Sequence, residues 1–573
     1  MTTLQKKLVL SLFLVFVWIG TVQTSAAQCD AYFLKKKSCV AKLDKRVPQL
    51  LDSANIPGLS LAMIKKGRVL YTQAYGVKNT ETKEKLNLYT IFEAASLSKP
   101  VFAYCCMKFV EKGLLDLDKP LYEYWVYEDI KKAQRYENIT ARMILSHTSG
   151  FPNWRNQDSL GITFEPGQRF SYSGEGYIYL QKVLEKISGK ELNEIMTEQV
   201  FIPLGMKNSS YVWKKEFDDN FALPHDRFGN SSSKYKDWKV MASSSLHTTS
   251  QDYAVFITAL LNSKGLRKET IQSMLTPQVK LTEKIFPPLT PVSTSLSWAL
   301  GMGIQDVRGE KSFWHWGDNG NFKCYMEVNE TQKMGIVYFA NSYNGLSILK
   351  ELLQETVRGE QPLIDFIGYK NYKSPGNVFV KHIFTLGVEK AIAPFLDVKG
   401  KSTIEEDEMN EMGYQLLSIK RIDFAKEVFD LNKQAYPHSS NAYDSYAESC
   451  LKNGDFEEAG KNYLKSFELN PQNRKAKHLA DQINHYKTQK GNVEFRLQGY
   501  PNAKLVTLAG SFNKWDDLNV LFFKEEKEWI CKIDLVPGEY QYKIVIDGNW
   551  ILDPANSITG ESNGYTNSVL KVE

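Results

Sequence analysis

Beyond its first thirty residues, the 573-residue sequence has no uninterrupted apolar run approaching the ~18 residues that a membrane-crossing helix needs. No transmembrane segment is therefore expected in the mature protein. Histidines are few, eight in all, and none stands in a His-Glu-x-x-His or other clustered ligand spacing, which argues against a metalloenzyme and gives no cofactor to expect. The seven cysteines, Cys29, Cys39, Cys105, Cys106, Cys324, Cys450 and Cys531, are odd in number and scattered. They suit neither a disulfide framework nor a zinc site, and most read as buried small apolar residues, with a Cys29–Cys39 bridge left open. Long blocks of like charge are also missing: the net charge is +5 and is spread along the chain, so no nucleic-acid partner is suggested.

What is present divides into regions of different texture. Lys6 and Lys7, an apolar stretch from Leu8 to about Gly20, and the small residues Ser25-Ala26-Ala27 read as a secretory signal over residues 1–27. A secreted or periplasmic protein follows. A lipid anchor at Cys29 is the alternative, disfavoured because Gln28 is bulkier than the residue usual before a lipidated cysteine. A chain of this length exceeds one core, and at roughly 100 to 200 residues per domain three or four domains are expected.

Residues 28–360 mix strand-like and helix-like runs. "GLSLAMIKKGRVLYTQAYGV" reads as a hairpin turning at Lys65-Lys66-Gly67-Arg68, and "GYIYLQKVLEKISG" as a helix. Ser96 and Lys99 stand one helical turn apart where a second apolar run begins. Ser-x-x-Lys also occurs six more times, at Ser231, Ser233, Ser347, Ser449, Ser511 and Ser568, so the pair alone decides nothing. Only the Ser96 occurrence precedes the ordered series "LSHTSGFPNW" (145–154), "FSYSGEGYIYL" (170–180), "SSSLHTTSQDYAVF" (243–256) and "FWHWGDNGNFKC" (313–324). This order resembles the serine β-lactamase and penicillin-binding-protein-like hydrolases, in particular their class C and D-aminopeptidase or esterase branch.

The resemblance implies an antiparallel sheet flanked by helices with a helical subdomain, and an acyl-enzyme on Ser96. A serine hydroxyl needs a neighbouring base. Lys99 lies within reach on the same helix face, and becomes a base near neutral pH only if desolvation lowers its pKa. By the resemblance, Tyr172 relays the proton to the leaving group, His315 takes the third-motif place on an edge strand and hydrogen-bonds the tyrosine, and backbone N–H groups of Ser96 and Asp318 form the oxyanion hole. His147 and His247 match family motifs and read as scaffolding. Two departures stand out. Gly174 replaces the asparagine of penicillin-recognising members, and His315 replaces a lysine, so the fixed cation for a β-lactam carboxylate is missing at pH 7. Both favour a small-molecule or polymer-linked ester, or a D-amino-acid amide or peptide, as substrate. A β-lactamase or D-Ala-D-Ala carboxypeptidase is the alternative, and a catalytically inactive sugar-binding platform is the rival from another class.

Residues 361–404 read as a linker or a hydrolase extension. Over 405–487 an offset of 34 residues superposes Gly413 on Ala447, Ala425 on Ala459, Phe429 on Tyr463 and Pro437 on Pro471. That period resembles two tetratricopeptide repeats with a trailing helix, acting as a spacer or as a groove for a protein partner. Residues 491–573 alternate as strands. GSFNKW, PGEYQYKIVIDG, NWILDP and TNSV resemble the carbohydrate-binding modules related to the glycogen-binding domain of AMP-activated kinase, a β-sandwich. The positions matching that family's sugar contacts are Trp515, Lys543, Trp550 and Asn567, which implies a polysaccharide partner, an α-glucan or a relative. Two indole planes for the apolar face of a sugar ring, with an amide and an ammonium for its hydroxyls, make physical sense of the set. Trp529, in an alternating strand, is expected in the core.

Overall fold

The computed structural model describes residues 40–573 except 131, 132, 134, 156–159, 237, 238, 286, 287, 399, 489 and 563. The expected signal, Cys29 and Cys39 lie outside the described residues. The chain forms two compact units that meet between Ser374 and Pro375.

The first unit opens with helix α1 (40–53) and the hairpin β1 (Gly58–Lys65) and β2 (Arg68–Gly76). The hairpin turns where expected, with Lys66 and Gly67 both in the left-handed region that a two-residue hairpin turn requires. Two short paired strands, β3 (Phe92–Glu93) and β4 (His247–Thr248), bracket helices α2 (Ser98–Glu111) and α3 (Gly174–Ser188), and α4 (Ser250–Leu261) follows. The remaining strands are β5 (Val279–Lys280), β6 (Leu296–Trp298), β7 (Gly303–Val307), β8 (Glu310–Asp318), β9 (Lys323–Asn329) and β10 (Met334–Ala340). They join the hairpin in one antiparallel sheet of order β2-β1-β10-β9-β8-β7-β6-β5.

Both faces of that sheet are covered, and the side-chain period of two sorts its residues between two cores. Val337 and Phe339 join α2, α3 and α4 on one side; Ile336 and Tyr338 join α1 on the other. The second core also holds Leu363, Phe366 and Ile367 of α5 (Leu363–Ile367). Residues just beyond 360 thus complete the packing of the first unit.

The second unit begins at Pro375. Its helices α6 (Glu406–Ser418), α7 (Ile422–Ala435), α8 (Ser440–Asn453) and α9 (Phe456–Leu469) form two helical hairpins, and α10 (Arg474–His485) trails them. Gly413 lies where α6 crosses α7: a Cβ there would come within 2.3 Å of the Phe429 ring. Ala425, Ala447 and Ala459 are likewise fully buried.

An all-β sandwich follows. One sheet has the order β11 (Val493–Gln498), β15 (Glu528–Ile533), β14 (Phe523–Glu525). The other runs β13 (Val520–Leu521), β12 (Val506–Gly510), β16 (Gly538–Ile546), β19 (Tyr565–Val572), β18 (Thr559–Ser562), with β17 (Asn549–Ile551) also on β16. Trp529, Tyr542, Ile544 and Ile546 fill the space between the sheets, as the alternation requires.

Within this unit α10 grips the sandwich through Gln482, whose side chain accepts from the Leu521 N–H at 3.0 Å and donates to the Asn519 carbonyl at 2.8 Å. Gln482→Ala leaves both backbone groups without these partners and is expected to destabilise the second unit by about 1–3 kcal/mol. Urea denaturation followed by tryptophan fluorescence measures this.

Candidate active site

The chain reaches Ser96 through a strained turn. Ala95 has φ +45°, a left-handed conformation that a residue with a Cβ adopts at a cost, and Ser96 sits in the 3-10 turn Ala95–Leu97 directly ahead of α2. Neighbours hold the turn in place: Ser98 Oγ donates to the Ala95 carbonyl at 2.6 Å, and Cys324 Sγ donates to that of Ala94 at 2.9 Å. Strand β8 crosses so closely that a Cβ at Gly317 would lie 2.4 Å from Cys324 Sγ and 2.6 Å from the Ala94 carbonyl. Only glycine fits there.

Lys99, in the first turn of α2, is 0% exposed. Its Nζ lies 3.0 Å from Ser96 Oγ and donates to the Ser243 carbonyl at 2.8 Å. Burial in apolar surroundings pushes its pKa down to about 7. A neutral amine keeps an N–H for Ser243 and a lone pair for the serine hydroxyl, which is the arrangement of a base with its nucleophile.

Tyr172 stands over this pair, its ring 4.8 Å from Lys99 Nζ. It is wedged in a ring cluster against His147 at 4.3 Å and Trp316 at 5.2 Å. Burial pushes the phenol pKa up, opposed by the nearby Ser96 hydroxyl, so Tyr172 is protonated at neutral pH. Its hydroxyl makes no hydrogen bond of ordinary length among the described residues. A phenol in this state can give a proton and is no resting base.

His147 does more than fill space. Its Nδ1 accepts from the Ser173 N–H at 3.0 Å, and its ring packs on Tyr172, so it sets that residue's position.

His315 differs from expectation in two respects. It lies on β8, which is paired with β7 and β9 and so is interior to the sheet, and its Nδ1 is bonded at 2.6 Å to the carbonyl of its own neighbour Trp316. Among the described residues Nε2 has no partner, so the expected hydrogen bond to Tyr172 is not formed; the two rings are 6.2 Å apart. Burial, followed by the nearby Lys99, pushes its pKa down to about 3, and it supplies no positive charge at neutral pH.

Asp318 ends β8 with its carboxylate held by Lys323 Nζ at 2.5 Å and by the Tyr369 hydroxyl at 2.5 Å. Ser96, Trp154, Tyr172, Trp316, Asp318 and Tyr369 line one cleft of about 570 Å³. At Gly174 a Cβ would come 2.9 Å from both the Asn153 carbonyl and the Trp154 ring, so the space of the missing asparagine side chain is filled. The Asn153–Arg155 segment is fixed there: Asn153 Oδ1 accepts from the Gly174 N–H at 3.0 Å, and Arg155 pairs with Glu175 at 2.8 Å.

Far along the chain, Trp515, Lys543, Trp550 and Asn567 line a second cleft of about 370 Å³, together with Ser562 and Tyr565. The indoles are 6.4 Å apart and Trp550 is 42% exposed, whereas Asn567 is 3% exposed and donates to Gln541 Oε1 at 2.9 Å. Tyr565, two residues before Asn567 on the same strand face, adds a third aromatic that the sequence reading missed. Its period-two relation to Asn567 was the available signal. The site reading likewise missed Trp154 and Tyr369.

Residues 43–354 match the family described as Beta-lactamase, and residues 492–573 match that described as Glycogen recognition site of AMP-activated protein kinase. Among curated proteins, the chain is 23% identical over 322 residues to Protein flp of Staphylococcus aureus (strain N315), covering 52% of this chain and 62% of that protein's length. It is 29% identical over 185 residues to a penicillin-binding protein of Bacillus subtilis (strain 168), covering 28% of this chain and 39% of the relative. Similar solved structures include an octameric penicillin-binding protein homologue from Pyrococcus abyssi, 26% identical over 57% of this chain and 80% of that one, TM-score 0.49. Another is a D-alanine carboxypeptidase AmpC from Burkholderia cenocepacia, 17% identical over 53% and 94%, TM-score 0.46.

An amine titrating near 7 can accept a proton only above that value, so the rate of Ser96 acylation is expected to rise with pH through about 7 and then level off. Lys99→Arg, charged throughout this range, loses about 10²–10⁴-fold in rate and the pH step with it. Stopped-flow acylation by p-nitrophenyl acetate from pH 5 to 9 measures both.

Proposed function

Because the chain belongs to the Beta-lactamase family through residues 43–354, we propose that it is a serine hydrolase that forms its acyl-enzyme on Ser96 and acts on esters. The observation that carries this reading is the buried amine of Lys99, titrating near 7 and 3.0 Å from Ser96 Oγ. Lys99 Nζ takes the hydroxyl proton as Oγ adds to the ester carbonyl. The oxyanion is received by the backbone N–H groups of Ser96 and Asp318, a contribution of about 3–4 kcal/mol per donor in other hydrolases. The intermediate then collapses by breaking the acyl C–O bond. The departing alkoxide takes a proton from Tyr172, which regains one from Lys99. Water repeats the sequence on the acyl-enzyme and frees the acid.

Esters are favoured over β-lactams and amides by what surrounds Ser96. No side chain can extend from position 174 to bind a substrate amide, and neutral His315 offers no cation for a carboxylate. Trp154, Phe170, Trp316, Ile285 and Leu289 give the cleft apolar and aromatic surface, while Arg169, Glu283 and Lys284 also line it.

The sandwich of residues 491–573 is proposed to hold an α-glucan or related polysaccharide on Trp515, Trp550 and Tyr565, with Lys543 and Asn567 meeting the hydroxyls. A module that binds the polymer raises the local concentration of esters borne on it. The helical hairpins of 405–487 are proposed as tetratricopeptide-like repeats that space the parts, and residues 1–27 as the signal that exports the chain.

Intact-mass analysis after fluorophosphonate treatment is expected to show one adduct, absent in Ser96→Ala, alongside turnover of p-nitrophenyl acetate but not of nitrocefin. Nitrocefin turnover would mean that Gly174 and His315 do not exclude β-lactams. An unreactive folded protein would favour the inactive-platform reading. In affinity electrophoresis through glycogen the protein should be retarded and Trp550→Ala clearly less so, each stacked ring being worth about 1 kcal/mol. Equal mobility of the two in gels of glycogen, starch and xylan would refute the sugar site.

A further inference from the structure

Tyr369 lies beyond the residues that match the hydrolase family, yet it is part of the cleft that holds Ser96. Its delivery is built into the local sequence. Leu363, Phe366 and Ile367 bury one face of α5 in the second core, and the Phe366 ring packs on Trp314 at 5.7 Å and on Trp316 at 6.4 Å. Gly368, at φ +69°, then ends the helix in the left-handed conformation and turns the chain so that Tyr369 enters the cleft. The Phe366 carbonyl also accepts from the Ile285 N–H at 3.2 Å, tying α5 to the segment that forms another wall.

The Tyr369 hydroxyl meets a carboxylate held from several directions. Asp318 Oδ2 accepts from Tyr369 at 2.5 Å, while Oδ1 accepts from Lys323 Nζ at 2.5 Å and from the Gly320 N–H at 2.8 Å. The next residue is held as well: Asn319 Nδ2 donates to Glu93 Oε2 at 2.6 Å, and Glu93 is paired with buried Lys234 at 2.5 Å. The turn after β8 thus hangs between Glu93, three residues before the nucleophile, and Tyr369 on the opposite side. Burial, followed by the Asp318 charge, holds the phenol well above its usual pKa, so it remains a donor at every pH at which Lys99 changes state.

We propose that Tyr369 is a positioning residue of the active site, its hydroxyl fixing Asp318 so that the Asp318 backbone N–H stays aimed at the developing oxyanion. This rests on the acyl-hydrolase reading for its catalytic consequence. The clamp itself is independent of turnover. A hydrogen bond to a carboxylate is stronger than one between neutral groups, and a donor displaced by a fraction of an ångström loses much of its worth in a transition state.

The test is Tyr369→Phe in the full chain, which keeps the ring and removes the hydroxyl. Two readouts are taken: fluorophosphonate labelling and ester kinetics, and hydrogen–deuterium exchange over residues 317–321. The expected result is a fall of about tenfold in kcat and in the labelling rate, with KM unchanged within about twofold, because the donor acts on the transition state. Exchange at 317–321 should be about tenfold faster, with the rest of the first unit unaffected. A general loss of stability would instead raise exchange throughout the unit and would overturn the proposal. So would wild-type rates and exchange in the variant. If the wild-type protein neither labels nor turns over esters, the hydrolase reading falls, and the exchange measurement still decides whether the hydroxyl holds the turn.

Discussion

A lysine buried without a carboxylate is the constraint around which the first unit is organised. Lys99 has an apolar helix on its own side, aromatic rings above it, and one carbonyl and one hydroxyl for partners. Desolvation of the ammonium is the cost, and release of the proton near neutral pH relieves it. Lys234 shows the other solution in the same unit. It is also buried, but Glu93 lies 2.5 Å away, and the carboxylate's attraction opposes the desolvation that lowers its pKa. One lysine is a structural ion pair that anchors the turn after β8. The other is an amine free to exchange a proton with Ser96, and the difference between them is the presence of a counter-charge.

The neighbouring groups follow from that neutral amine. A strong positive charge beside Tyr172 would favour its phenolate; with Lys99 titrating near 7 and burial dominating, the phenol stays protonated and becomes a donor. His315 is held neutral first by its burial and then by repulsion from the Lys99 ammonium when Lys99 is charged. Next to Ser96 the titratable groups Lys99 and His315 thus carry little fixed charge, and Trp154 fills the space that a side chain at 174 would need.

The sugar-side cleft obeys a different logic. Trp550 and Tyr565 are exposed and Trp515 is half-buried, while Asn567 donates to Gln541. Trp529, on a strand that packs inward, is 3% exposed and belongs to the core. Tryptophans of one sandwich thus differ in exposure, Trp529 in the core and Trp550 open to solvent.

Local chemistry made much of this legible in advance. The Lys66-Gly67 turn, the one-turn spacing of Ser96 and Lys99 and the period-two strand of Tyr542 and Ile544 are relations between residues near in sequence, and the family resemblance picked out Trp515, Lys543, Trp550 and Asn567, which share one cleft. Tertiary structure alone decided what depends on distant neighbours. The interior position of β8, and with it the surroundings of His315, follows from which strands pair. Whether Lys99 or Lys234 is neutral depends on a carboxylate far away in the chain. Tyr369 enters the cleft that holds Ser96 because α5 packs onto Trp314 and Trp316. Spacing specifies which groups can lie side by side on one element, whereas a pKa, a filled space or a clamp is set by what the rest of the chain packs against them.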